Sequence, residues 1–580
     1  MAGQAESMAA ALPQDYYWSN FNLMLAYAFE RYRDFFSPQE MESIAGFQAL
    51  PKQAQALFIR LYNRKGQLFR ESTLAYDEIQ ELPRWCALLC EHGYLSRDMS
   101  EVDTEQMLAH LKVAHLRGLV PEQRGKKSDL LAACAQALAT DRGPLERLAR
   151  WLWVVEKPLF QRLMVLFFCN RFQAMSDFVK VDLGHVRYES YPVDAKVRYF
   201  ESREHLEQYL LWGARKDAFY ELCQNRDWPE MAATHHELRK QWPANKPWNR
   251  AAYKMMFAAC KAFEHGADWD RAIEAYSYLL TLREHFPCAS RYVHCLEKTH
   301  AWPDALSACN KRLMDNPTPS QRLFFEFHRK KAEKALGLPQ SEATPMRKPA
   351  VQKIAAEKTD SYRGAKATYA GQDGQNLTVE DVVLAHYAEL GWQGLFAENG
   401  YMGTLAAMLC WDLIFAPLPG VFQTPYQHGP LDFYSRSFFT DREQLFARRL
   451  AQIAAMDSQT LTAEFKQTYR EKQGVICGLG NTSVFEPAHF EGLLRLTEPA
   501  KVSALLQRYF AYWPETRRGF PDLCLWNQSE LMFVEVKGDG DQVFEAQRVW
   551  HDLLLEQGFR VVLLRVCSRV RPACGGDGVK

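Results

Sequence analysis

One stretch near the C-terminus, RRGFPDLCLWNQSELMFVEVKG at residues 517–538, limits what the chain can fold into more than any other. Two apolar runs, 523–526 and 531–536, flank the turn-like tetrapeptide NQSE, a pattern that predicts a β-hairpin with a four-residue loop. Counting outward from the loop places Asp522 directly opposite Glu535. Like charges in that position are destabilising unless something neutralises them, and a divalent cation would do so.

Lys537 adds a positive charge on the same side of this hairpin. Side chains alternate between the two faces of a strand, so Glu535 and Lys537 share one face while Val534 and Val536 point to the other. The pattern therefore predicts that two carboxylates and one ammonium group converge at one point. An edge hairpin whose acids are solvated, with the lysine paired to one of them, is the alternative that the pattern leaves open.

The residues after the hairpin predict a helix and a further strand. Between positions 541 and 557 the apolar residues recur at helical spacing, and Gly558 follows them as a typical helix end. Residues 560–566 are again apolar and predict a strand. The expected order is strand, strand, helix, strand.

These residues carry a resemblance to a known family. The dipeptide Pro521-Asp522, a spacer of a dozen residues, and the tripeptide EVK at 535–537 resemble the PD-(D/E)XK nuclease motif. With Gly538, Asp541 and QRVW at 547–550, the stretch resembles the VRR-NUC domain. Nearly the whole chain is similar to the Fanconi-anaemia-associated nuclease family, through TVEDVVL at 378–384, WDLIF at 411–415, SFFT at 437–440 and QALFIRLYNRK at 55–65.

A metal-dependent hydrolytic site follows from the hairpin. A hard cation held by oxygen ligands lowers the pKa of bound water and neutralises charge that develops on a phosphodiester. Asp522 and Glu535 are suitable ligands for Mg²⁺ or Mn²⁺, and the family motif implies the carbonyl of Val536 as a third. Lys537 would orient the attacking water or contact the phosphate in the transition state.

Four further residues are candidates for the same site. The resemblance implies that Glu398, just before a helix running through WDLIF at 411–415, is another metal ligand, with a helix-capping role as the alternative. Gln547 is expected to support a ligand or the metal-bound water, unless it is an ordinary polar residue of its helix. Arg517 and Arg518 are expected to contact the scissile phosphate or the next one, unless they are simply solvated.

The composition indicates where the protein acts and which structural features it lacks more than it indicates the reaction. The 580 residues include 70 basic and 70 acidic side chains, so a DNA-binding surface must come from an uneven distribution of charge. We find no signal pattern or long apolar run, and expect a cytoplasmic protein without membrane contact, associated with the nucleoid when it acts on DNA. The 14 cysteines show no paired C-x-x-C arrangement, so neither a zinc site nor a disulfide framework is expected.

Length and pattern predict a multidomain chain, mostly α-helical in its N-terminal two thirds, followed by an α/β restriction-endonuclease-like nuclease domain. The expected boundaries are a helical DNA-binding domain at 1–100, a SAP-like module at 101–145, tetratricopeptide-like helical repeats at 146–338, a linker at 339–376 and a VRR-NUC nuclease domain at 377–570. The repeats are inferred from WDRA at 269–272, which recurs 33 residues later as WPDA, and from a looser copy, WPEM at 228–231. The linker is inferred from its Pro, Gly, Lys and Thr content and few large apolar residues.

Two basic clusters are candidates for DNA contact. Arg60, Arg64 and Lys65 lie on a predicted helix, where a solvated basic face is the alternative. GKKS at 125–128 resembles the turn of a SAP module. Lys126 and Lys127 would contact phosphates there, and the following serine would cap the second helix; a plain helical hairpin with surface lysines is the alternative.

The resemblance implies a structure-specific 5′-flap endonuclease with 5′-to-3′ exonuclease activity in DNA interstrand cross-link repair. Its partner would be branched or flapped double-stranded DNA, and the helical repeats offer a surface for protein partners. Vertebrate members carry a ubiquitin-binding zinc finger, whereas the first cysteine here is Cys86, so a bacterial-type member without that finger is expected. A four-way junction resolvase and a non-catalytic DNA-binding scaffold are the alternatives.

Overall fold

The computed structural model of the protein describes residues 15–193, 196–242, 249–282, 285–363, 366–371, 374–435 and 437–569. The chain divides into two compact units. The N-terminal unit comprises Met1–Arg187, Val193–Leu206 and Gln423–Tyr426, and the C-terminal unit comprises Tyr188–Pro192, Glu207–Phe422 and Gln427–Lys580.

Helices dominate the N-terminal unit, and fully buried phenylalanine rings form the centre of its core. The rings of Phe21, Phe47, Phe58 and Phe160 pack with centroid distances of 4.9–5.6 Å. The helices are α1 Tyr16–Tyr32, α2 Pro38–Ala49, α3 Lys52–Tyr62, α4 Leu82–Glu91, α5 Thr104–Ala109, α6 Val113–Leu119, α7 Lys127–Ala137, α8 Gly143–Arg147, α9 Lys157–Phe168 and α10 Met175–Asp182.

A small antiparallel sheet in this unit corrects the purely helical prediction for residues 1–100. Its strands are β1 Leu68–Arg70, β2 Leu95–Ser96 and β3 Trp151–Val154, and β3 lies in the middle. Strands of two to four residues are too short to show an alternating pattern of apolar residues, which is why the sequence did not indicate them.

The segment predicted as a SAP-like module contains α5, α6 and α7, with a turn between α6 and α7. Leu116 of α6 packs with Leu130 and Cys134 of α7 in one buried cluster. The expected cap was wrong. Helix α7 begins at Lys127, and the Asp129 carboxylate accepts a 3.0 Å hydrogen bond from the backbone N–H of Lys126. The predicted capping serine therefore lies inside the first turn, because the aspartate one position later satisfies the free N–H group.

The helical run begins at α11 and lies mostly in the C-terminal unit, so the predicted start of the repeats at 146 was wrong. Residues 146–187 belong to the N-terminal unit and contain β3, α9 and α10. The three tryptophans of the internal similarity, Trp228, Trp269 and Trp302, are the first residues of α12, α14 and α16. Ala272 of α14 and Ala305 of α16 are fully buried in apolar clusters of these helices. That the helices are tetratricopeptide-like repeats stays a prediction. The run consists of α11 Arg203–Asn225, α12 Trp228–Lys240, α13 Asn249–His265, α14 Trp269–Leu282, α15 Phe286–Lys298, α16 Trp302–Met314 and α17 Pro319–Ala335.

A mixed β-sheet with helices follows the helical run. Its strands are β4 Ala350–Arg363, β5 Lys366–Ala370, β6 Asn376–Leu377, β7 Gln393–Phe396, β8 Leu523–Trp526, β9 Leu531–Lys537 and β10 Arg560–Arg569. The spatial order is β6-β5-β4-β10-β9-β8-β7; β10 is parallel to both β4 and β9, and the other pairs are antiparallel. The helices are α18 Val379–Glu389, α19 Tyr401–Leu409, α20 Trp411–Ile414, α21 Ser437–Thr440, α22 Glu443–Ala455, α23 Ser458–Lys472, α24 Glu491–Leu496, α25 Pro499–Ala511 and α26 Glu545–Glu556.

The predicted linker at 339–376 was wrong, because much of this interval belongs to the sheet. Strand β4 pairs with β10 from Ala350 onward, and β5 and β6 extend the sheet beyond it. Strand β4 reads AVQKIAAEKTDSYR, so small and charged residues occupy most of its positions. Such a composition has few of the branched apolar residues by which strands are recognised, and β4 forms a strand because it pairs with the apolar strand β10.

The hairpin and the elements after it follow the predicted order. Strands β8 and β9 form the hairpin, α26 follows, and β10 returns parallel to β9. Odd-numbered residues of β9, such as Phe533, face the core that contains Val549 and Trp550 of α26. Even-numbered residues, such as Val534 and Val536, belong to the core on the opposite face. Glu535 and Lys537 therefore lie on the side of the sheet that α26 covers.

Candidate metal centre

The register of the hairpin places Asp522 next to Glu535, as the sequence predicts. The observed pairs run from Trp526 opposite Leu531 to Leu523 opposite Val534, and one further step along the same register pairs the two acids. The Oδ2 atom of Asp522 accepts a 2.8 Å hydrogen bond from the backbone N–H of Val536. Strand geometry, and not a flexible loop, thus holds the two carboxylates together.

Glu535 is completely buried, and polar side chains surround its carboxylate. Its Oε1 atom accepts hydrogen bonds from Lys537 Nζ, at 2.5 Å, and from Gln547 Nε2. The Oε1 atom of Gln547 in turn accepts a 2.9 Å hydrogen bond from the backbone N–H of Phe544 at the start of α26. Both ends of the Gln547 amide are therefore engaged, which orients it toward Glu535 and favours the predicted supporting role.

A histidine that the sequence did not indicate lies on the other side of the same carboxylate. His551, 2% exposed, places Nε2 3.5 Å from Oε2 of Glu535. Both atoms are buried, and neither has a hydrogen-bond partner among the described residues. Because Gln547 and His551 are four residues apart on α26, they lie on one face of that helix, and this spacing was the signal available in the sequence.

Burial and neighbouring charges raise the pKa of the Asp522 carboxyl group. Burial, followed by the negative charge of Glu535, raises the pKa of the Asp522 carboxyl to about 7. The hydrogen bond from Val536 and the charge of Lys537 act in the opposite direction, and the charge of Glu398 adds to the increase. A carboxyl group with this pKa shares its pocket with excess negative charge, which a bound cation would neutralise.

Glu398 lines the same pocket as Asp522, but unlike the two paired acids it is not buried. It follows β7 and is exposed to solvent, before α19 begins at Tyr401. A pocket of about 360 Å³ is lined by Thr378, Glu380, Asp381, Phe396, Glu398 and Asp522. The helix expected after Glu398 is divided in two, since α19 ends at Leu409 and α20 starts at Trp411. The predicted neighbourhood is present, while the role of Glu398 as a ligand stays a prediction.

The side chains fit a hard divalent cation. In the part of the chain that the structure describes, no group of three His, Cys, Asp or Glu side chains is already arranged around one point as a metal site. Oε2 of Glu535 is nevertheless a buried carboxylate oxygen without a donor, and Asp522 supplies a second oxygen ligand beside it. Oxygen donors of this kind suit Mg²⁺ and Mn²⁺. The carbonyl of Val536 remains a predicted third ligand.

The predicted arginines and lysines differ in how they are engaged. Arg517 and Arg518 are exposed, and the Arg517 guanidinium lies over the ring of Tyr434 at 4.5 Å from its centroid. Lys126 and Lys127 are exposed where α7 begins. All four side chains are accessible to solvent, and their contact with DNA stays a prediction.

The basic cluster at residues 60–65 does not lie on one helix, as expected, because α3 ends at Tyr62 and only Arg60 belongs to it. Arg60 is partly buried, forms an ion pair with Glu78 and lies 3.9 Å from the ring centroid of Tyr17. Arg64 and Lys65 are exposed. The guanidinium of Arg60 is thus engaged within the protein, and only its two neighbours present their charges to solvent.

Two family models match the chain, and they fall on the segments described above. The model described as FAN1, HTH domain matches residues 15–96, and the VRR-NUC domain model matches residues 457–568. The second match includes the hairpin, α26 and most of β10. The chain belongs to the Fanconi-associated nuclease family.

Relatives and solved structures cover almost the whole chain. A Fanconi-associated nuclease 1 homolog from Pseudomonas aeruginosa is 28% identical over 571 residues, which is 96% of each chain. Fanconi-associated nuclease 1 from Homo sapiens is 23% identical over 95% of this chain, which spans 62% of the human protein. A crystal structure of paFAN1 bound to 5′-flap DNA with a 2-nucleotide flap and a gap has a TM-score of 0.83 and 26% identity, and covers 97% of this chain and 100% of that one.

Family membership bears on the cofactor as well. Nucleases of the PD-(D/E)XK type generally depend on a divalent metal ion, which agrees with the oxygen ligands around Asp522 and Glu535. Among the described residues, no helix is long and apolar enough to cross a membrane.

Proposed function

We propose that this member of the family is a structure-specific nuclease that hydrolyses phosphodiester bonds as a 5′-flap endonuclease with 5′-to-3′ exonuclease activity, in the repair of DNA interstrand cross-links. Similarity to the structure of paFAN1 bound to 5′-flap DNA supports the choice of substrate. The bacterial relative supports a cytoplasmic site of action on nucleoid DNA. The helical run α11–α17 offers a surface for protein partners.

One observation carries the chemistry: two buried carboxylates face each other beside a buried ammonium, and one carboxylate oxygen lacks a donor. Burying two carboxylates beside one ammonium costs free energy unless a bound cation neutralises the remaining charge. Mg²⁺ or Mn²⁺ would be held by Asp522, Glu535, the carbonyl of Val536 and Glu398. Once bound, it would lower the pKa of a water molecule and neutralise charge on the leaving oxygen.

Lys537 has a separate task in this proposal. Its ammonium group is 7% exposed and donates to Glu535; among the described residues this is its single hydrogen bond, so two N–H groups remain for other partners. A cation fixed in a buried site stabilises negative charge on a phosphate oxygen more strongly than one in water. Lys537 therefore orients the attacking water or meets the charge that develops on the phosphate.

Exposed basic side chains are the candidates for holding the DNA. We propose Arg64 and Lys65 just after α3, Lys126 and Lys127 at the start of α7, and Arg517 and Arg518 before β8 as phosphate contacts. We leave out Arg60 because Glu78 engages it. Phosphate contacts fix the position of a duplex without reading its sequence. Specificity would then come from the shape of the branch.

Cleavage of a 5′-flap substrate by the wild type and by Asp522→Ala tests this function. The wild type should cut in Mg²⁺ or Mn²⁺ and stop when EDTA is added, while Asp522→Ala should bind flap DNA almost normally without cutting it. Ca²⁺ should support binding but little turnover, because it accepts looser geometry. Robust cleavage by Asp522→Ala, or by the wild type in EDTA, would contradict the assignment.

A further inference from the structure

Helix α26 approaches both oxygens of the buried Glu535 carboxylate. Gln547 donates to Oε1, and one helical turn later His551 places Nε2 3.5 Å from Oε2. Side chains four residues apart lie on one face of a helix, so the backbone of α26 presents both at once. Each oxygen of the Glu535 carboxylate therefore faces one side chain of α26, Gln547 at Oε1 and His551 at Oε2.

The His551 position is not explained by apolar packing. Its side chain is 2% exposed and lies among residues of the core such as Val549, Trp550 and Leu553. Its Nε2 atom has no hydrogen-bond partner among the described residues, and the same is true of the facing Oε2. Burying a polar atom without a partner costs free energy, and two such atoms lie 3.5 Å apart here. Leucine would fill this volume without that cost.

We propose that His551 is a positioning residue, which donates a hydrogen bond from Nε2 to Oε2 of Glu535 and so fixes the carboxylate in the orientation that binds the metal ion. The inference rests on the metal site of the proposed function. A gap of 3.5 Å closes to hydrogen-bond length with a shift of a few tenths of an ångström. Imidazole and carboxylate groups behind metal ligands are a recurrent means of orienting those ligands.

The proposal gives Gln547 and His551 different tasks. Oε1 already accepts from Lys537 and Gln547, so its orientation is held without His551. Oε2 would be held by His551, so removing the imidazole would leave the carboxylate fixed at one oxygen only and less precisely oriented. The expected loss is therefore in affinity for the metal ion, and not in folding.

Binding of Mn²⁺ to the DNA-free protein, followed by electron paramagnetic resonance, tests this inference apart from catalysis. His551→Leu keeps the volume and removes the donor, and should raise the Kd for Mn²⁺ by about 10–100-fold, the range seen when such supporting residues are removed. His551→Gln places an amide N–H where Nε2 was, and should bind Mn²⁺ more tightly than the leucine variant. Val549→Ala is the matched control on α26: it should lower Tm and leave the Kd unchanged.

Three results would overturn the proposal. Equal Mn²⁺ affinity in wild type, His551→Leu and His551→Gln would show that His551 only packs the core. A strong nitrogen coupling in the spin-echo spectrum of the wild type would show that His551 is itself a ligand. If the wild type binds no Mn²⁺ at all, the metal site of the proposed function fails, and this inference with it; a normal wild type with an unaffected leucine variant refutes this inference alone.

Discussion

The carboxylate of Asp522 is hydrogen-bonded to the backbone N–H of Val536, the residue next to Glu535 on the neighbouring strand. The bond fixes an acid at the end of one strand to the backbone of the next, so the two acids cannot separate without breaking the sheet. Their repulsion is thus built into the fold. Because the fold keeps the two carboxylates together, a proton or a bound cation must reduce their repulsion.

The first prediction concerns pH and the stability of the metal-free protein. The pKa of Asp522 is raised from 3.8 to about 7, so the folded state binds this proton more tightly than the unfolded state. Its contribution to stability is therefore complete below pH 3.8 and is lost as the pH rises through about 7. In EDTA, Asp522→Asn should raise Tm relative to wild type at pH 8 and have a much smaller effect at pH 5.

Differential scanning fluorimetry at both pH values measures the change. Asp412→Asn, at an exposed position of α20, serves as the control. The prediction fails if Asp522→Asn raises Tm equally at pH 5 and pH 8, or lowers it at pH 8. Either result would show that the negative charge of Asp522 does not destabilise the folded state.

The second prediction separates metal binding from folding at Glu398. Glu398→Gln keeps the shape of the side chain and removes its charge. We expect a large loss of cleavage rate, partly restored by raising the Mn²⁺ concentration, because a lost ligand weakens the binding of the ion. Since the side chain is exposed, Tm in metal-free buffer should not change.

Glu380→Gln is the matched control, because Glu380 lines the same pocket and has no place in the proposed ligand set. It should cut nearly as well as wild type. Lower thermal stability of Glu398→Gln together with normal activity would instead identify a structural role for Glu398.

The third prediction tests the start of α7 as a DNA contact. Replacing Lys126 and Lys127 by Glu should weaken binding to every DNA sequence about equally and flatten the slope of log affinity against log salt concentration. Fluorescence anisotropy at several salt concentrations measures both quantities. Lys216 and Lys334, exposed lysines of the helical run, give a control double variant of equal charge change. If the two double variants behave alike, α7 is not part of the DNA-binding surface.

The fourth prediction distinguishes Arg60, near the end of α3, from Arg64, which follows this helix. Arg60→Ala breaks the ion pair with Glu78 and should lower Tm by roughly 2–4 °C, as expected for a loss of about 1 kcal/mol. Its affinity for flap DNA should be nearly normal. Arg64→Ala should show the reverse, with normal Tm and weaker, less salt-dependent binding. The opposite assignment of the two effects would return Arg60 to the DNA contacts.

Local pattern was sufficient for the hairpin and its charges. Two apolar runs around a four-residue turn determine the register, and the register determines that Asp522 and Glu535 meet. Gln547 was within reach of the same reasoning because a helix follows the hairpin directly. The spacing of four residues from Gln547 was the one signal for His551, but a histidine among Val549, Trp550 and Leu553 is interpreted as a core residue until its contact with Glu535 is known.

Long-range pairing explains the failures. Strand β4 is a strand because it lies along β10, about 200 positions later in the chain, and nothing within AVQKIAAEKTDSYR indicates that partner. Arg60 looked free for the same reason: Glu78 is 18 residues away in sequence and meets it only in the folded unit. Predictions based on spacing succeed within a hairpin or a helix and fail where distant segments meet.

The central claim is that a branched substrate is cut at one defined position by the Asp522 and Glu535 site. A site on a rigid hairpin reaches one strand when the duplex is held elsewhere, so binding energy is used for positioning. The most direct measurement is the cleavage of strand-specifically labelled 5′-flap, 3′-flap, four-way-junction and linear duplex DNA, side by side in Mn²⁺ or Mg²⁺. The account predicts incision of the flap-bearing strand, in the duplex a few nucleotides beyond a 5′-flap junction, with 3′ flaps and linear duplex cut poorly. Symmetric paired nicks across the four-way junction, with 5′ flaps cut no better than 3′ flaps, would contradict it and indicate a resolvase.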